Sequence, residues 1–142
     1  MSPEQGRRSR LPGVVVSGTL DVASILAFVV IGRSSHDHGV TVAGVVDTSW
    51  PFLAGAAVGW AAGRAWRSPA AVAPVGVVVW ISCVGVGMAL RVLVGQGTAA
   101  AFLVVALVFL GSAMLGWRLL AGIGAARARA RAGQDGVRYT DS

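Results

Sequence analysis

The sequence is poor in charge. Charged residues make up 13% of its 142 residues, about half of their share in an average soluble domain. Apolar residues make up 55%, and the mean hydropathy is +0.71. A small domain leaves much of its surface exposed, so this amount of apolar surface cannot be buried in one core. The composition therefore excludes an ordinary soluble domain and predicts an integral membrane protein.

Several residue types that would support other functions are missing or rare. Lysine and asparagine are absent, and the single cysteine, Cys83, excludes an internal disulfide. Neither histidine lies within an apolar segment, which argues against a bis-histidine haem site. No Ser-His-Asp set, phosphate-binding loop or pair of intramembrane carboxylates can be assembled, so an enzyme is not predicted, and neither is a cofactor.

Four apolar segments are present, and each is long enough to span a hydrocarbon core of about 30 Å as a helix. We predict an all-α four-helix membrane bundle over residues 14–123, with helices at about 14–33, 48–66, 69–94 and 98–123. A disordered basic tail (residues 1–13) precedes the bundle, and a solvated basic tail (residues 124–142) follows it. The apolar run 40–46 is either an interfacial turn or an early start of the second helix. Pro74 can kink the third helix.

The charges that are present cluster beside the apolar segments. All twelve basic residues are arginines, and ten of them fall on one side of a four-helix protein: Arg7, Arg8, Arg10, Arg64, Arg67, Arg118, Arg127, Arg129, Arg131 and Arg138. This distribution is typical of membrane topology and of contact with anionic lipids, not of nucleic-acid binding. The positive-inside rule predicts a multi-pass plasma-membrane protein with both termini in the cytoplasm and anionic lipids at that face.

Tryptophans lie near the predicted helix ends. Trp60, Trp66 and Trp117 are near the inner ends, and Trp50 is near an outer end. We interpret all four as interfacial anchors, because indole rings are enriched at the boundary between lipid and water.

Asp21 is the one acidic residue deep inside an apolar segment. Ser17 and Ser24 share its helical face, which we expect to point into the protein. A carboxylate at this depth needs a partner or a proton. Arg118 and Arg64, both at inner helix ends, are candidate partners. The hypotheses are a proton- or ion-coupling carboxylate, or a polar clamp between the first and fourth helices.

A second polar group is predicted at the outer end of the bundle. It comprises Arg33, His36, Asp37, His38, Asp47 and Arg91. We predict a salt-bridge cluster that ties the first loop to the third helix, with Asp47 as the partner of Arg91 and Asp37 as the alternative. His-x-His without a third histidine or cysteine is a weak metal signal, so no metal site is predicted.

Gly55, Gly59 and Gly63 form a double small-xxx-small motif in the second helix, which also carries Trp50, Pro51 and Phe52. Glycines four residues apart let another helix approach at backbone distance. The helix that approaches these glycines is either another helix of the same chain or one of a homo-oligomer or membrane partner. Packing within the monomer is the favoured interpretation.

Residues 52–60 resemble residues 109–117: both segments begin with Phe-Leu and end with Gly-Trp. Arg33 and Arg91 also occupy similar outer ends of the first and third helices. Two related helical hairpins would explain both features. Chance similarity between two segments of biased composition is the alternative.

A set of short motifs extends across the apolar part of the chain. They are Leu20-Asp21, Phe28, Ile31-Gly32-Arg33-x-x-His36, Trp50-Pro51-Phe52 with Gly55, Gly85-x-Gly87-Met88 with Arg91, and Gly116-Trp117-Arg118. Together they resemble the bacterial and archaeal domain-of-unknown-function 3054 family over residues 18–120. The resemblance implies a four-helix membrane protein and carries over no catalytic role.

Two functions remain open. One is a transporter- or channel-like protein that uses Asp21 as an intramembrane polar site. The other is a structural or accessory subunit that packs against a partner through the Gly55, Gly59 and Gly63 face. A transporter should show a polar cavity that reaches Asp21 and should lose activity when Asp21 is neutralised. A packing subunit should tolerate Asp21→Asn but fail with Gly59→Leu.

Overall fold

The protein is all-helical in the computed structural model, which describes residues 11–35 and 39–138. The four main helices are α1 (Leu11–Ser34), α2 (Val42–Ala62), α3 (Val77–Leu93) and α4 (Ala100–Arg138). A short 3-10 helix, Ala65–Arg67, and an irregular turn, Val72–Gly76, lie between α2 and α3. Four helical spans, the third including that turn, are long and apolar enough to cross a bilayer. The predicted four-helix architecture is confirmed, and it is consistent with a multi-pass membrane protein.

The start of α1 differs from the predicted boundary at residue 14. The helix already includes residues 11–13, which we had assigned to the disordered tail. The rest of that tail, residues 1–10, lies outside the described part of the chain.

α2 begins six residues earlier than predicted and so includes most of the apolar run 40–46, from Val42 onward. Thr41 caps it, because its side-chain oxygen accepts a hydrogen bond from the Gly44 N–H at 3.1 Å. The early start places Pro51 inside the helix instead of in its first turn. Proline has no N–H, so the carbonyl of Asp47, four residues earlier, lacks its usual helical partner.

α3 begins later than residue 69 because Pro74 disturbs its predicted first turns. The residue before a proline is driven toward an extended backbone, and Ala73 has φ −127° and ψ 144°. Ser68 and Pro69 therefore lie in a turn, where the Ser68 carbonyl accepts the Ala71 N–H at 3.0 Å. Regular α-helix is established from Val77.

α4 continues to Arg138, well beyond the predicted end at residue 123. The segment alternates alanine and arginine, which are among the strongest helix formers, and Gly133 does not end it. Every residue from 119 to 134 is exposed. Residues 124–138, which the sequence predicts as a basic tail, continue the helix, and their solvation stays a prediction.

Aromatic rings fill the centre of the bundle. The Phe28 ring of α1 lies 5.6 Å from the Phe52 ring of α2, measured between ring centres, and 5.7 Å from the Phe109 ring of α4. Phe102 joins the same cluster at 5.6 Å from Phe28. Because Phe52 and Phe109 begin the two similar segments of the sequence, these segments contact α1 through equivalent residues. The hairpin duplication itself stays a prediction.

Glycines bring α2 and α3 to backbone distance. A β-carbon at Gly55 would lie 2.7 Å from the carbonyl oxygens of Ser82 and Cys83, and one at Gly59 would lie 2.7 Å from the Val79 α-carbon. Gly63 lies beside the Val78 side chain. The glycine face is therefore covered by the chain's own α3, in agreement with the favoured interpretation of packing within the monomer.

We expect Gly59→Leu to destabilise the fold, because the new side chain would overlap the α3 backbone. Overpacking of this kind costs about 1–3 kcal/mol. The matched control is Gly116→Leu, since Gly116 occupies the corresponding position in the similar segment of α4 but has no neighbouring atom within 4 Å of an added β-carbon. Unfolding in mild detergent measures both changes. Equal stability of the two variants would contradict the α2–α3 packing described above.

Candidate functional site

Asp21 accepts four hydrogen bonds inside the bundle. The Arg118 guanidinium donates two of them: Nη1 to Oδ1 and Nη2 to Oδ2, each at 2.7 Å. The indole N–H of Trp60 in α2 donates to Oδ2 at 2.9 Å, and that of Trp117 in α4 donates to Oδ1 at 3.0 Å. We call these four residues the Asp21 clamp. It joins α1 to both α2 and α4.

Arg118 is fully buried and is held by more than the carboxylate. Its Nε donates to the Pro69 carbonyl at 3.2 Å, and its Nη1 also donates to the Met114 carbonyl at 2.8 Å. The guanidinium carbon lies 4.3 Å from the centre of the Trp117 ring. Gly76 makes room for it, since a β-carbon there would lie 2.8 Å from Arg118 Cδ. Arg118 thus ties the α2–α3 connection to α1 and α4.

The donor set determines what the Asp21 clamp can do chemically. Indole and guanidinium groups donate hydrogen bonds and do not accept them. The four donors therefore match an ionised carboxylate, and none of them can accept a proton from a protonated one. Each carboxylate oxygen already accepts two bonds. The geometry is that of the hypothesised polar clamp between the first and fourth helices.

The other residues predicted around Asp21 have different surroundings. Ser17 is buried, and the Ser24 hydroxyl donates to the Leu20 carbonyl of its own helix at 2.8 Å. Arg64, the alternative partner, is exposed and makes no side-chain hydrogen bond or ion pair within residues 11–35 and 39–138. The ion pair of Asp21 is with Arg118, the first of the two candidates.

Trp60 and Trp117, which the sequence predicts as interfacial anchors, have a further role in packing that their positions near the helix ends alone do not predict. Both turn inward and bond the same carboxylate. Each tryptophan is the last residue of one of the two similar segments, 52–60 and 109–117. Their matching positions are the sequence signal that both contact the same group on α1. Trp66, by contrast, is 49% exposed, as an interfacial residue would be.

A groove of about 670 Å³ opens along the seam between α1 and α2 and reaches the Asp21 clamp. Its twelve lining residues are Val14, Val15, Gly18, Thr19, Asp21, Val22, Leu53, Ala56, Ala57, Trp60, Ala61 and Trp66. Small residues on both helices leave the space open, and the Trp60 ring crosses it, 3.7 Å from the position of a Gly18 β-carbon. The groove is apolar except at Asp21 and Thr19, so it is not the polar cavity that the transporter hypothesis predicts.

At the outer end of the bundle, Arg91 is buried but does not pair with the Asp47 carboxylate, so the predicted ion pair is wrong. Its Nη1 donates to Gln96 Oε1 at 2.9 Å, and its Nη2 donates to the Gln96 and Gly97 carbonyls at 3.3 Å. The Gln96 amide in turn donates to the main-chain carbonyl of Asp47 at 3.0 Å. That carbonyl is the one freed by Pro51, so Gln96 replaces the missing helical bond.

Arg33 contacts α2 at Thr48, one residue after Asp47. It donates to the Thr48 hydroxyl and to the Gly39 carbonyl, each at 3.2 Å. Of the predicted outer cluster, Arg33 therefore contacts α2 at Thr48. Arg91 is linked to α2 at the Asp47 carbonyl through Gln96. His36, Asp37 and His38 lie outside the described residues.

The family described as "Protein of unknown function (DUF3054)" matches residues 19–121, and the chain belongs to this family. The resemblance noted from the short motifs is thereby confirmed. No curated protein and no solved structure matches the chain.

We expect Asp21→Leu to cost about 3–5 kcal/mol of stability, because it leaves the Arg118 guanidinium buried without its counter-charge. The double variant with Arg118→Leu should be more stable than the sum of the two single effects predicts. A double-mutant cycle in detergent measures this coupling energy. The same cycle with Arg64→Leu is the control and should give a coupling near zero. Equal coupling in the two cycles would contradict the clamp.

A second double-mutant cycle tests the outer end. We expect Arg91→Leu and Gln96→Leu to couple by about 0.5–3 kcal/mol, as residues in direct contact do. Arg91→Lys should also destabilise, because lysine lacks the planar fork that bonds the side chain and carbonyls together. Asp47→Leu is the comparison and should couple more weakly, since the Asp47 carboxylate makes no ion pair with Arg91 and acts on it only through its charge at longer range. Strong coupling of Arg91 with Asp47, and none with Gln96, would restore the ion pair predicted from the sequence.

Proposed function

We propose that this member of the DUF3054 family is a transporter-like protein of the plasma membrane, with both termini in the cytoplasm, that accepts an amphiphilic molecule sideways from the bilayer. The observation that carries the proposal is the groove between α1 and α2 that reaches the Asp21 clamp. Its volume of about 670 Å³ falls within the range of small-molecule sites, roughly 300–1,000 Å³. An apolar lining with a few convergent polar groups is also typical of such sites.

The packing of the bundle supports the groove between α1 and α2 as the location of the proposed site. Gly55 and Gly59 hold α2 tightly against α3, whereas the opposite side of α2 carries Ala56, Ala57 and Ala61 and leaves the groove. α1 residues at its edge, such as Val15 and Val22, are exposed where lipid would lie. A molecule dissolved in the bilayer can therefore enter without crossing a polar barrier.

In this proposal Asp21 positions α1 and does not carry ions. Four donors already occupy its oxygens, so a passing cation would have to displace Arg118 and both indoles. Asp21 and Trp60 instead form part of the groove wall. An accessory subunit that docks through the glycine face is not proposed, because α3 covers that face.

The number of arginines supports the orientation. Arg64 and Arg67 lie in the turn after α2, at the end of the bundle where α2 ends. The basic extension of α4 lies at the same end. Positively charged residues accumulate on the cytoplasmic side of multi-pass proteins. The mouth of the groove near Trp66 would then face the cytoplasmic leaflet.

Photo-crosslinking tests the proposal. The protein is reconstituted in vesicles that contain a diazirine-bearing phospholipid, and adducts are mapped by mass spectrometry. We expect adducts to concentrate on groove residues such as Gly18, Leu53 and Ala57. Ala57→Phe should fill the groove and reduce these adducts several-fold. Ala89→Phe is the control, because Ala89 is exposed on α3 and does not line the groove.

Transbilayer movement of the same phospholipid, followed in the same vesicles, tests the transport part. We expect the protein to accelerate this movement and Ala57→Phe to abolish the acceleration. Adducts spread evenly over all lipid-facing residues would overturn the binding site. Concentrated adducts without accelerated movement would overturn the transporter-like activity.

A further inference from the structure

Two arginines flank the mouth of the groove. Trp66 lines the groove at the end where α1 begins and α2 stops, and it lies in the 3-10 turn between Arg64 and Arg67. Both arginines are exposed. Ala65 beneath them is fully buried, which anchors the turn to the bundle.

These two arginines differ from the arginines that hold the bundle together. Within the described residues, Arg64 and Arg67 make no side-chain hydrogen bond and no ion pair. The engaged arginines are Arg33, Arg91 and Arg118. The positive charge at the mouth is therefore available to an anion from outside the chain.

The backbone at Arg64 is also unusual. Its φ of 47° and ψ of 48° lie in the left-handed region, which glycine adopts at no steric cost and which other residues rarely visit. A glycine would form this turn more easily. Arg64 follows Gly63, the C-cap residue of α2, at a position where helices commonly end in a left-handed residue and where glycine is the usual choice.

We propose that an anionic phospholipid occupies the groove, with its phosphate bound by Arg64 and Arg67 and one acyl chain lying between α1 and α2. This inference rests on the proposed function and names its ligand class. From Ala61 at the mouth to Leu53 at the deep end the groove runs along nine residues of α2, which rise about 12 Å.

The polarity of the groove matches this orientation of the lipid. The mouth combines two guanidinium groups that have no partner among the described residues with the Trp66 indole, a side chain typical of the headgroup region. The deep end is bounded by Val22 and Leu53, which suit an acyl chain. The complementary charge selects an anionic headgroup over a zwitterionic one, because a cluster of arginines beside a membrane attracts anionic lipid.

The test compares two photoactivatable phospholipids, one with a phosphatidylglycerol and one with a phosphatidylcholine headgroup, for crosslinking into the groove of the full chain. We expect phosphatidylglycerol to be preferred. Arg64→Gly and Arg67→Gln should each reduce the preference by about fivefold, the factor that corresponds to one arginine near an anionic surface. The control is Arg127→Gln with Arg129→Gln on the exposed extension of α4, which should leave the preference unchanged.

Arg64→Gly separates a binding role from a structural one. It relieves the left-handed backbone at this position, so the melting temperature should stay equal or rise while the lipid preference falls. An unchanged preference in both loop variants would overturn the inference, and so would an equal loss in the α4 control. The proposed function is tested independently by Ala57→Phe, which should reduce crosslinking of both lipids to a similar extent, whereas the loop variants should reduce phosphatidylglycerol crosslinking more than phosphatidylcholine crosslinking.

Discussion

The bidentate pair between Asp21 and Arg118 is the interaction on which the rest of the structure depends. A carboxylate and a guanidinium inside an apolar bundle are costly unless each is paired and hydrogen-bonded. Here the pairing draws on α1 and α4, the Trp60 indole of α2 and the Pro69 carbonyl of the α2–α3 connection. Because these bonds extend to every helix or its connection, the clamp sets how the four helices are arranged.

The bundle combines two kinds of helix contact. Glycines close the seam between α2 and α3, where backbone atoms meet directly. Aromatic side chains and the clamp hold α1, with Phe28 among three rings and Asp21 between two indoles. Contacts through large side chains leave space that backbone contacts do not. This difference explains why the groove lies beside α1 and not on the glycine side of α2.

Residue chemistry predicted a large part of the site and of its environment. Asp21 was identified because a carboxylate in an apolar helix requires a partner, and Arg118 was one of two candidates at the correct end. The pairing at Arg91 was not predictable in the same way. Gln96 is neutral and lies in a turn, and its role depends on the Asp47 carbonyl that Pro51 leaves free. Neither fact can be read from charge alone.

By itself the sequence determined the number of helices, their apolar length and the need to compensate Asp21, because these follow from hydropathy and from the cost of a buried charge. It also determined that glycines would pack helices closely. Only the tertiary structure decided which helix meets the glycines, that Trp60 and Trp117 turn inward, and that a groove opens between α1 and α2. Those features depend on how side chains from segments far apart in the sequence fill a shared space. Hydropathy and residue spacing carry no information about which of these side chains meet.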